Sequence, residues 1–210
     1  MHIPDGFLST KTWGALDIIS VLALSLAIFK TKNKIEDKKI PLAGVTAAFI
    51  FAAQMLNFPV LPGTSGHFMG GALSAILLGP WTGFLVMASV LIVQCFLFQD
   101  GGLLALGANI FNMGIIGSAG GYYIYVIFKK VLSGKYEKAA VFISGWLSII
   151  LASAACAIEL SISGIVPLIP SIIGMGSIHA AIGIGEGLIT VAVISYLQEV
   201  RMDVLELAKI

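Results

Sequence analysis

The chain has 210 residues, of which 58% are hydrophobic and 11% are charged, and its mean hydropathy is +1.01. An ordinary soluble domain carries about 25% charged residues. This composition therefore excludes a soluble domain and predicts a membrane protein. The net charge of +1 leaves no basic surface for nucleic acid. Cys95 and Cys156 each stand in an apolar run, which argues against a disulfide framework or a thiolate zinc site.

Six apolar runs follow one another along the chain, at 13–29, 42–58, 68–98, 103–128, 139–158 and 175–196. A further apolar stretch, 160–174, is interrupted by Pro167 and Pro170. The run 68–98 contains the pair Gly79-Pro80, where one helix can end and the next begin, because proline lacks a backbone donor but suits a first helical turn.

The basic residues set the number of spans. Nearly all of them fall in three segments, 30–39, 129–138 and 201–209, which the positive-inside rule assigns to the cytoplasm. All three lie on one side only if 68–98 forms two spans, about 65–79 and 81–98. The sequence therefore predicts an all-α bundle of seven transmembrane helices in the cell membrane, a single domain over 1–210, with the N-terminus outside and the C-terminus cytoplasmic. The two short helices are expected to tilt or to be enclosed by protein.

The N-terminus carries the most informative histidine. Asp5 and a single lysine, Lys11, precede the first apolar run, which is not the pattern of a secretory signal, so we expect Met1 to remain the first residue. A free amine, the amide nitrogen of His2 and its imidazole can chelate one metal through adjoining five- and six-membered rings. A deprotonated amide favours square-planar ions, namely Ni(II) and Cu(II), and accommodates Co(II), whereas zinc and magnesium fit poorly.

A fourth ligand has to come from elsewhere, and His67 is the candidate. It ends an uncharged, helix-breaking loop, 57–67, on the same outer face as the N-terminus. Irregular backbone is tolerated at membrane depth where protein encloses it, and Pro4-Asp5-Gly6 reads as a turn that folds the terminus back toward the bundle. The sequence thus predicts a metal site formed by Met1, His2 and His67.

Four motifs carry a resemblance to a known family. They are Met-His-Ile-Pro-Asp-Gly at 1–6, Gly-Thr-Ser-Gly-His at 63–67, the stretch 94–114 with Gly101-Gly102-Leu103 and Asn109-x-x-Asn112-Met113-Gly114, and His-x-x-Ile-Gly-x-Gly-Glu-Gly at 179–187. With these motifs the chain resembles, over essentially its whole length, the CbiM/NikM family, the substrate-binding S components of energy-coupling-factor transporters for cobalt and nickel.

The resemblance implies a seven-helix fold with the terminus inserted into the bundle, and it implies the same ligands: the Met1 amine, the His2 amide and imidazole, and the His67 imidazole. The cargo would be Ni(II) or Co(II), with no organic cofactor, and we favour nickel because a planar chelate suits a d8 ion. The implied partners are a transmembrane T component, a pair of cytoplasmic ATPases and a small accessory membrane subunit. The chain itself has no phosphate-binding loop, since Gly134-Lys135 has Lys129 where the first glycine is required.

Polar residues at membrane depth are costly unless paired. Asn109 and Asn112 share a helical face, and together with Asn57, Gln94 and Asp100 they are candidates to orient the ligand rings. The alternative is a hydrogen-bonded network that only holds helices together. His179 and Glu186, two turns apart on the last helix, are further candidates, although a structural pair is favoured there. Asp17 and Glu159 receive no role.

Small residues recur at four-residue spacing on the second helix, as Ala43/Ala47 and Gly44/Ala48/Ala52. Such stripes permit close helix packing in lipid. Packing inside the bundle is the favoured use. The alternative is an interface formed by Ala43, Ala47, Ala48 and Ala52, because in the resembling vitamin S components an alanine stripe rests against the shared transmembrane subunit.

Two other functions remain as alternatives. Gly63-Thr64-Ser65-Gly66 matches the Gly-x-Ser-Gly of rhomboid intramembrane proteases, with Ser65 as nucleophile and His179 as base, but this short match explains neither the terminal motif nor His67. A stand-alone metal channel needs sites that release the ion easily, whereas an amide chelate holds it tightly.

Overall fold

The computed structural model describes residues 1–32, 39–60 and 64–200. Its helices are α1 Thr10–Thr31, α2 Lys39–Gln54, α3 Gly71–Leu78, α4 Pro80–Phe98, α5 Leu106–Val131, α6 Glu137–Ile162 and α7 Leu168–Val200. Two short strands, β1 Phe58–Pro59 and β2 Ser65–Gly66, pair antiparallel with Phe58 opposite Gly66. The predicted all-α fold is confirmed. Lys34, Lys38, Arg201 and Lys209, used in the topology argument, and Gly63 of the protease motif lie outside the described residues.

Five helices, α1, α4, α5, α6 and α7, are long and apolar enough to cross a membrane, and the apolar part of α2 is shorter. Large apolar side chains point outward from α1, including Ile18, Val21, Leu22 and Phe29, all more than half exposed. A lipid surrounding accounts for such a face, because hydrocarbon solvates it and the helix satisfies its own backbone. The protein is a multi-pass membrane protein; the outside location of the N-terminus stays a prediction.

The third helix differs from its predicted bounds. The sequence predicted a span at about 65–79, whereas α3 has eight residues, Gly71–Leu78, and all of them are buried. A helix of this length rises only about 12 Å, so it does not cross a bilayer by itself. The preceding residues stay non-helical because Gly70 adopts a left-handed conformation with φ of 76°. The expectation that a short helix is enclosed by protein fits α3.

Glycine and proline mark the predicted helix breaks at Gly79-Pro80 and Pro167, but not at Pro170. Gly79, with φ of 85°, separates α3 from α4, and Pro80 begins α4 as predicted. The last helix, however, begins at Leu168 rather than at 175. Pro170 therefore lies in its first turn, where the missing N–H has no intrahelical partner to lose. The prediction that both prolines break the stretch holds for Pro167 alone.

The small-residue stripes on α2 divide between two environments. Ala43 and Ala47 are half-buried and pack against the core. Gly44, Ala48 and Ala52 are exposed, and a Cβ added at Gly44 would meet no atom within 4 Å. The favoured expectation of internal packing is therefore met only by the first stripe, because the second points away from the other described helices.

An unpredicted feature lies in α5, whose residues Ile110–Gly120 are π-helical. The start of α3 packs directly on this segment, since a Cβ added at Gly71 would lie 2.7 Å from the carbonyl carbon of Gly117. π-helical turns are frequent at functional sites. This one begins immediately after Asn109 and contains Asn112, so it fixes where both side chains lie.

We expect Gly83→Ala to destabilise the α3–α4 pair. A Cβ at Gly83 would lie 2.5 to 2.8 Å from backbone atoms of Ala75 and Ser74, and backbone cannot move aside as a flexible side chain can. Overpacking of this kind costs about 1–3 kcal/mol. Thermal unfolding in detergent measures the loss. Gly14→Ala is the control, because nothing lies within 4 Å of a Cβ there, and equal unfolding temperatures for the two variants would contradict the prediction.

Candidate metal centre

The first residues of the chain lie inside the bundle. Met1 and Ile3 are fully buried and His2 is 5% exposed. Asn109, the residue just before the π-helical part of α5, holds this segment: its Oδ1 accepts from the Ile3 N–H at 2.8 Å, and its Nδ2 donates to the Ile3 carbonyl at 3.1 Å. Both buried backbone groups of Ile3 are thereby satisfied, as a water-free site requires.

The predicted turn at Pro4-Asp5-Gly6 leads the chain out of this site. Gly6 has φ of 88°, a left-handed value that glycine adopts without steric cost. The Asp5 carboxylate accepts hydrogen bonds from the backbone N–H groups of Leu103 and Leu104, at 3.1 and 2.8 Å. These contacts tie the turn to the loop between α4 and α5, so the terminus is held at both its buried and its outer end.

The Met1 amine meets the loop that precedes α3. It donates to the backbone carbonyl of Ser65 and lies 3.1 Å from the Ser65 hydroxyl. Its nitrogen is also 2.9 Å from Nε2 of His67. The pairing of Ser65–Gly66 with Phe58–Pro59 fixes this part of the loop, so the amine and the His67 ring are presented to each other by two separate pieces of backbone.

The His67 ring has a defined tautomer. Its Nδ1 lies 2.7 Å from the carbonyl oxygen of Phe68, and because a carbonyl only accepts, Nδ1 carries the proton. Nε2 therefore presents a lone pair toward Met1. His67 is 1% exposed, and burial, followed by the nearby amine, lowers the pKa of this ring well below its ordinary value. The neutral ring is the form that binds metals.

His2 stacks on His67, with ring centroids 4.7 Å apart and planes 22° from parallel. Its Nε2 lies 3.2 Å from the Gln94 side-chain oxygen, so Nε2 donates and Nδ1 keeps a lone pair. Nδ1 lies 3.3 Å from a carboxylate oxygen of Asp100, yet it is buried without a hydrogen-bond partner. A buried unpaired nitrogen of this kind is costly, and a bound cation would satisfy it.

Burial also keeps the terminal nitrogens neutral. Loss of water lowers the pKa of the Met1 amine from 8.0 to about 5 and that of His2 from 6.5 to about 3. Both groups are thus unprotonated at neutral pH. The neutral amine then carries a lone pair, and its nitrogen lies 2.9 Å from Nε2 of His67. The site then offers nitrogen donors with no proton left to remove from the amine or the rings.

The remaining predicted residues occupy different positions. Gln94 and Asp100 contact His2, and Asn109 contacts Ile3. Asn57 is exposed, and its Nδ2 donates to the Asp100 carboxylate at 3.4 Å. Asn112 does not contact the terminal nitrogens in the described structure; its Nδ2 donates to Glu159 at 2.7 Å.

His179 and Glu186 are not paired with each other. Nδ1 of His179 bonds the Met175 carbonyl at 2.8 Å, and its ring also faces the backbone of Ser65. The Glu186 carboxylate instead accepts from the backbone N–H groups of Met69 and Gly70. The expected structural pair is therefore not formed, and each side chain contacts backbone groups instead. A spacing of seven residues puts both side chains on one face of the helix, but two turns apart.

The protease alternative requires a hydrogen bond between Ser65 and His179. In the described part of the chain the Ser65 hydroxyl contacts the Met1 amine, while His179 uses Nδ1 for Met175. The arrangement of a nucleophile beside its base is not formed among these residues. Ser65 instead supplies two acceptors to the N-terminus, a role that sequence reasoning missed.

Sequence reasoning also missed the contacts made by backbone. The Phe68 carbonyl and the Asp5 anchor carry no motif of their own, although an aspartate within a Pro-Asp-Gly turn is a signal for local capping. Glu159, left without a role, binds Asn112. Within residues 1–32, 39–60 and 64–200, no three His, Cys, Asp or Glu side chains cluster as metal ligands.

Fold and site together define a multi-pass helical membrane protein with a buried cluster of nitrogen donors around its N-terminus. The family described as "Cobalt uptake substrate-specific transmembrane region" matches residues 2–204. The chain belongs to this family, whose relatives are named as metal transport proteins.

Two relatives and one solved structure illustrate the similarity. A protein of Archaeoglobus fulgidus, provisionally named as a fused nickel transport protein, NikMN, is 45% identical over 98% of this chain and 68% of its own length. The cobalt transport protein CbiM of Acetoanaerobium sticklandii is 30% identical over 97% and 86% of the two chains. A crystal structure described as a truncated transition metal transporter is 34% identical, with a TM-score of 0.89 over 95% of this chain and 99% of the other.

We expect Asn109→Ala to loosen the N-terminal segment, because it removes both side-chain hydrogen bonds to Ile3. Amide hydrogen exchange over residues 1–6 should accelerate by about 10-fold or more, since the lost bonds are worth about 1–3 kcal/mol at a buried site. Asn57→Ala is the control, as it removes one long, exposed contact. Unchanged exchange in Asn109→Ala would mean that other contacts hold the terminus.

Proposed function

We propose that this chain is the substrate-capture S component of an energy-coupling-factor importer for nickel or cobalt. The ligands are four nitrogens: the Met1 amine, the deprotonated His2 amide, His2 Nδ1 and His67 Nε2. The observation that carries the proposal is the 2.9 Å separation of the Met1 amine from His67 Nε2, with both atoms buried.

This separation suits neighbouring ligands of a square-planar ion. Metal–nitrogen bonds of about 2.0 Å at a right angle place the two nitrogens about 2.8 Å apart. The amine and the amide of His2 close a five-membered ring, and the amide and Nδ1 close a six-membered one. Nδ1 is the ring nitrogen that the buried Gln94 contact leaves with a lone pair, which supports the same assignment.

We choose between nickel and cobalt from the chemistry of the donors. A planar set with an amide anion suits a d8 ion best, so we favour nickel. The relatives named for nickel and for cobalt both fit this family. Metal analysis and the visible absorption spectrum of protein whose chain begins at Met1 distinguish the two ions, because planar Ni(II) and Co(II) absorb differently.

Release of a tightly held ion requires work, which supports energising partners. We propose that a transmembrane T component and a pair of cytoplasmic ATPases supply it, together with a small accessory membrane subunit. The exposed stripe of Gly44, Ala48 and Ala52 is the proposed surface for the T component. Small residues let two helix backbones approach closely in lipid.

The terminal chelate predicts that an N-terminal extension abolishes tight nickel binding. A Gly-Ser-Gly extension moves the amine out of its chelate ring, and the fully buried Met1 leaves no room for added residues. Three residues are used because one would create another chelate, with histidine at position 3. Affinity should fall by more than about 100-fold, beyond the 10–100-fold that loss of an outer hydrogen-bond partner costs.

Calorimetric titration with nickel measures the affinity and the stoichiometry of binding. The control carries the same three residues at the C-terminus. Stoichiometric binding by the N-terminally extended protein at the affinity of the control would refute the terminal chelate.

The lowered pKa values predict how many protons nickel displaces. With the pKa of the amine at about 5 and that of His2 at about 3, only the amide loses a proton at pH 7, so we expect about one proton per ion. A free Met-His peptide, whose amine has a pKa of about 8, should release about two. Affinity should therefore decline gently with falling pH and steeply only below about pH 5, where the amine protonates.

Calorimetry in buffers of different ionisation enthalpy measures this proton count. The matched control is the free peptide of the first six residues under the same conditions. Release of two protons by the protein would show that its amine is protonated before nickel binds.

The proposed partner surface predicts that Ala48→Leu separates assembly from capture. The isolated chain should bind nickel as before, while co-purification with the energising subunits should be lost, because leucine holds two helices apart. Ala181→Leu is the control, an exposed alanine on α7 outside the stripe. Normal assembly by Ala48→Leu would place the docking surface elsewhere.

A further inference from the structure

The peptide group between Phe68 and Met69 joins two parts of the bundle. On one side its carbonyl oxygen accepts from Nδ1 of His67 at 2.7 Å. On the other side its N–H, that of Met69, donates to the Glu186 carboxylate at 2.7 Å. A single peptide plane therefore links the imidazole of the loop to a carboxylate on α7.

This link is fully enclosed. Glu186 and His67 are each 1% exposed and Met69 is fully buried. The second carboxylate oxygen of Glu186 accepts from the Gly70 N–H at 2.8 Å. Both oxygens are thus occupied by consecutive N–H groups at the start of α3, where the positive end of the helix dipole favours a carboxylate.

The position of Glu186 is set by close packing of α7 on α6. Gly183 and Gly187 flank it on the same helix face, and a Cβ at either position would lie within 3 Å of the Trp146 or Phe142 ring. The carboxylate is therefore carried by a rigid helix pair, and the short loop from His67 to Gly70 is fastened to it.

We propose that Glu186 is a positioning residue for His67, acting through the Phe68–Met69 peptide. Metal-binding histidines commonly give their second ring N–H to a carboxylate or to a backbone carbonyl, which fixes the tautomer and raises the basicity of the bound nitrogen. Here the two devices act in series. The carboxylate polarises the peptide, and successive hydrogen bonds strengthen one another in a low-dielectric site.

This inference rests on the proposed function, since it requires His67 Nε2 to bind the ion. Its consequence is that Glu186 affects the metal only through His67. A carboxylate that merely caps α3 would stabilise the fold equally whether or not His67 is present. The two roles are therefore separated by asking whether the effect of Glu186 depends on His67.

The experiment is a double-mutant cycle read by nickel dissociation. Glu186→Gln keeps the size of the side chain, but loses the charge and one acceptor. In the His67 background it should weaken nickel binding by about 10–100-fold. In the His67→Ala background, which retains only the terminal nitrogens, the same change should alter affinity by no more than about twofold. Glu159→Gln is the control, a buried glutamate bound to Asn112 instead of the loop, and it should leave affinity unchanged.

Two outcomes of the cycle overturn the inference: no effect of Glu186→Gln in the His67 background, or an equal loss in both backgrounds. A failure of the proposed function gives a different result, which does not involve Glu186 or His67 variants. Either the protein without substitutions binds no nickel, or its nickel binding tolerates the N-terminal extension.

If Glu186→Gln does not fold, the unsubstituted protein provides the second measurement. Square-planar Ni(II) is diamagnetic, so histidine ¹⁵N resonances of the loaded protein can be recorded. We expect the Nδ1 proton of His67 to be present and protected from solvent exchange, with Nε2 shifted by the metal. A metal-bound Nδ1, or an Nδ1 proton that exchanges freely, would overturn the inference.

Discussion

The amine of Met1 lies where water does not reach, and the surrounding structure is organised to satisfy it. Ser65 offers both its carbonyl and its hydroxyl, and His67 turns a lone pair toward it. Burial in turn lowers the pKa of the amine to about 5, because a charged group without water is costly. The removal of the Met1 amine from water thus brings the proposed donors together and keeps them uncharged.

Holding the terminus inside requires irregular backbone to be satisfied within an apolar bundle. Long polar side chains from the helices perform this task. Asn109 bonds both backbone groups of Ile3, and Glu186 accepts from the loop before α3. Gln54 donates to the Met69 carbonyl at 2.7 Å from α2. These residues fix the loop and the terminus to rigid helices, which is what gives the nitrogen donors a defined geometry.

A search for clusters of side-chain ligands does not detect a site of this kind. In the proposed ligand set, two imidazoles are the side-chain donors, and the other nitrogens belong to the backbone of the first two residues. The proposed energising partners follow from the same donors, because an ion held by an amide anion would leave slowly.

Much of this protein follows from its sequence, because the signals are local. Hydropathy and the Gly79-Pro80 pair predict the helices, since the bilayer demands long apolar segments and proline cannot continue a helix from within. The position of His2 predicts a chelate, because ring size depends only on the covalent chain. The distribution of lysines predicts an orientation by the same kind of local rule.

Tertiary structure decided what depends on contact between distant segments. The extent of α3, the π-helical turn of α5 and the first-turn position of Pro170 follow from how helices pack and from where backbone groups find partners. Asn112 and Glu186 look alike in sequence, as polar residues within apolar helices. Only the folded chain directs the first to Glu159 and the second to the loop of His67, because hydrogen bonds over such sequence separations are set by the packing of whole helices.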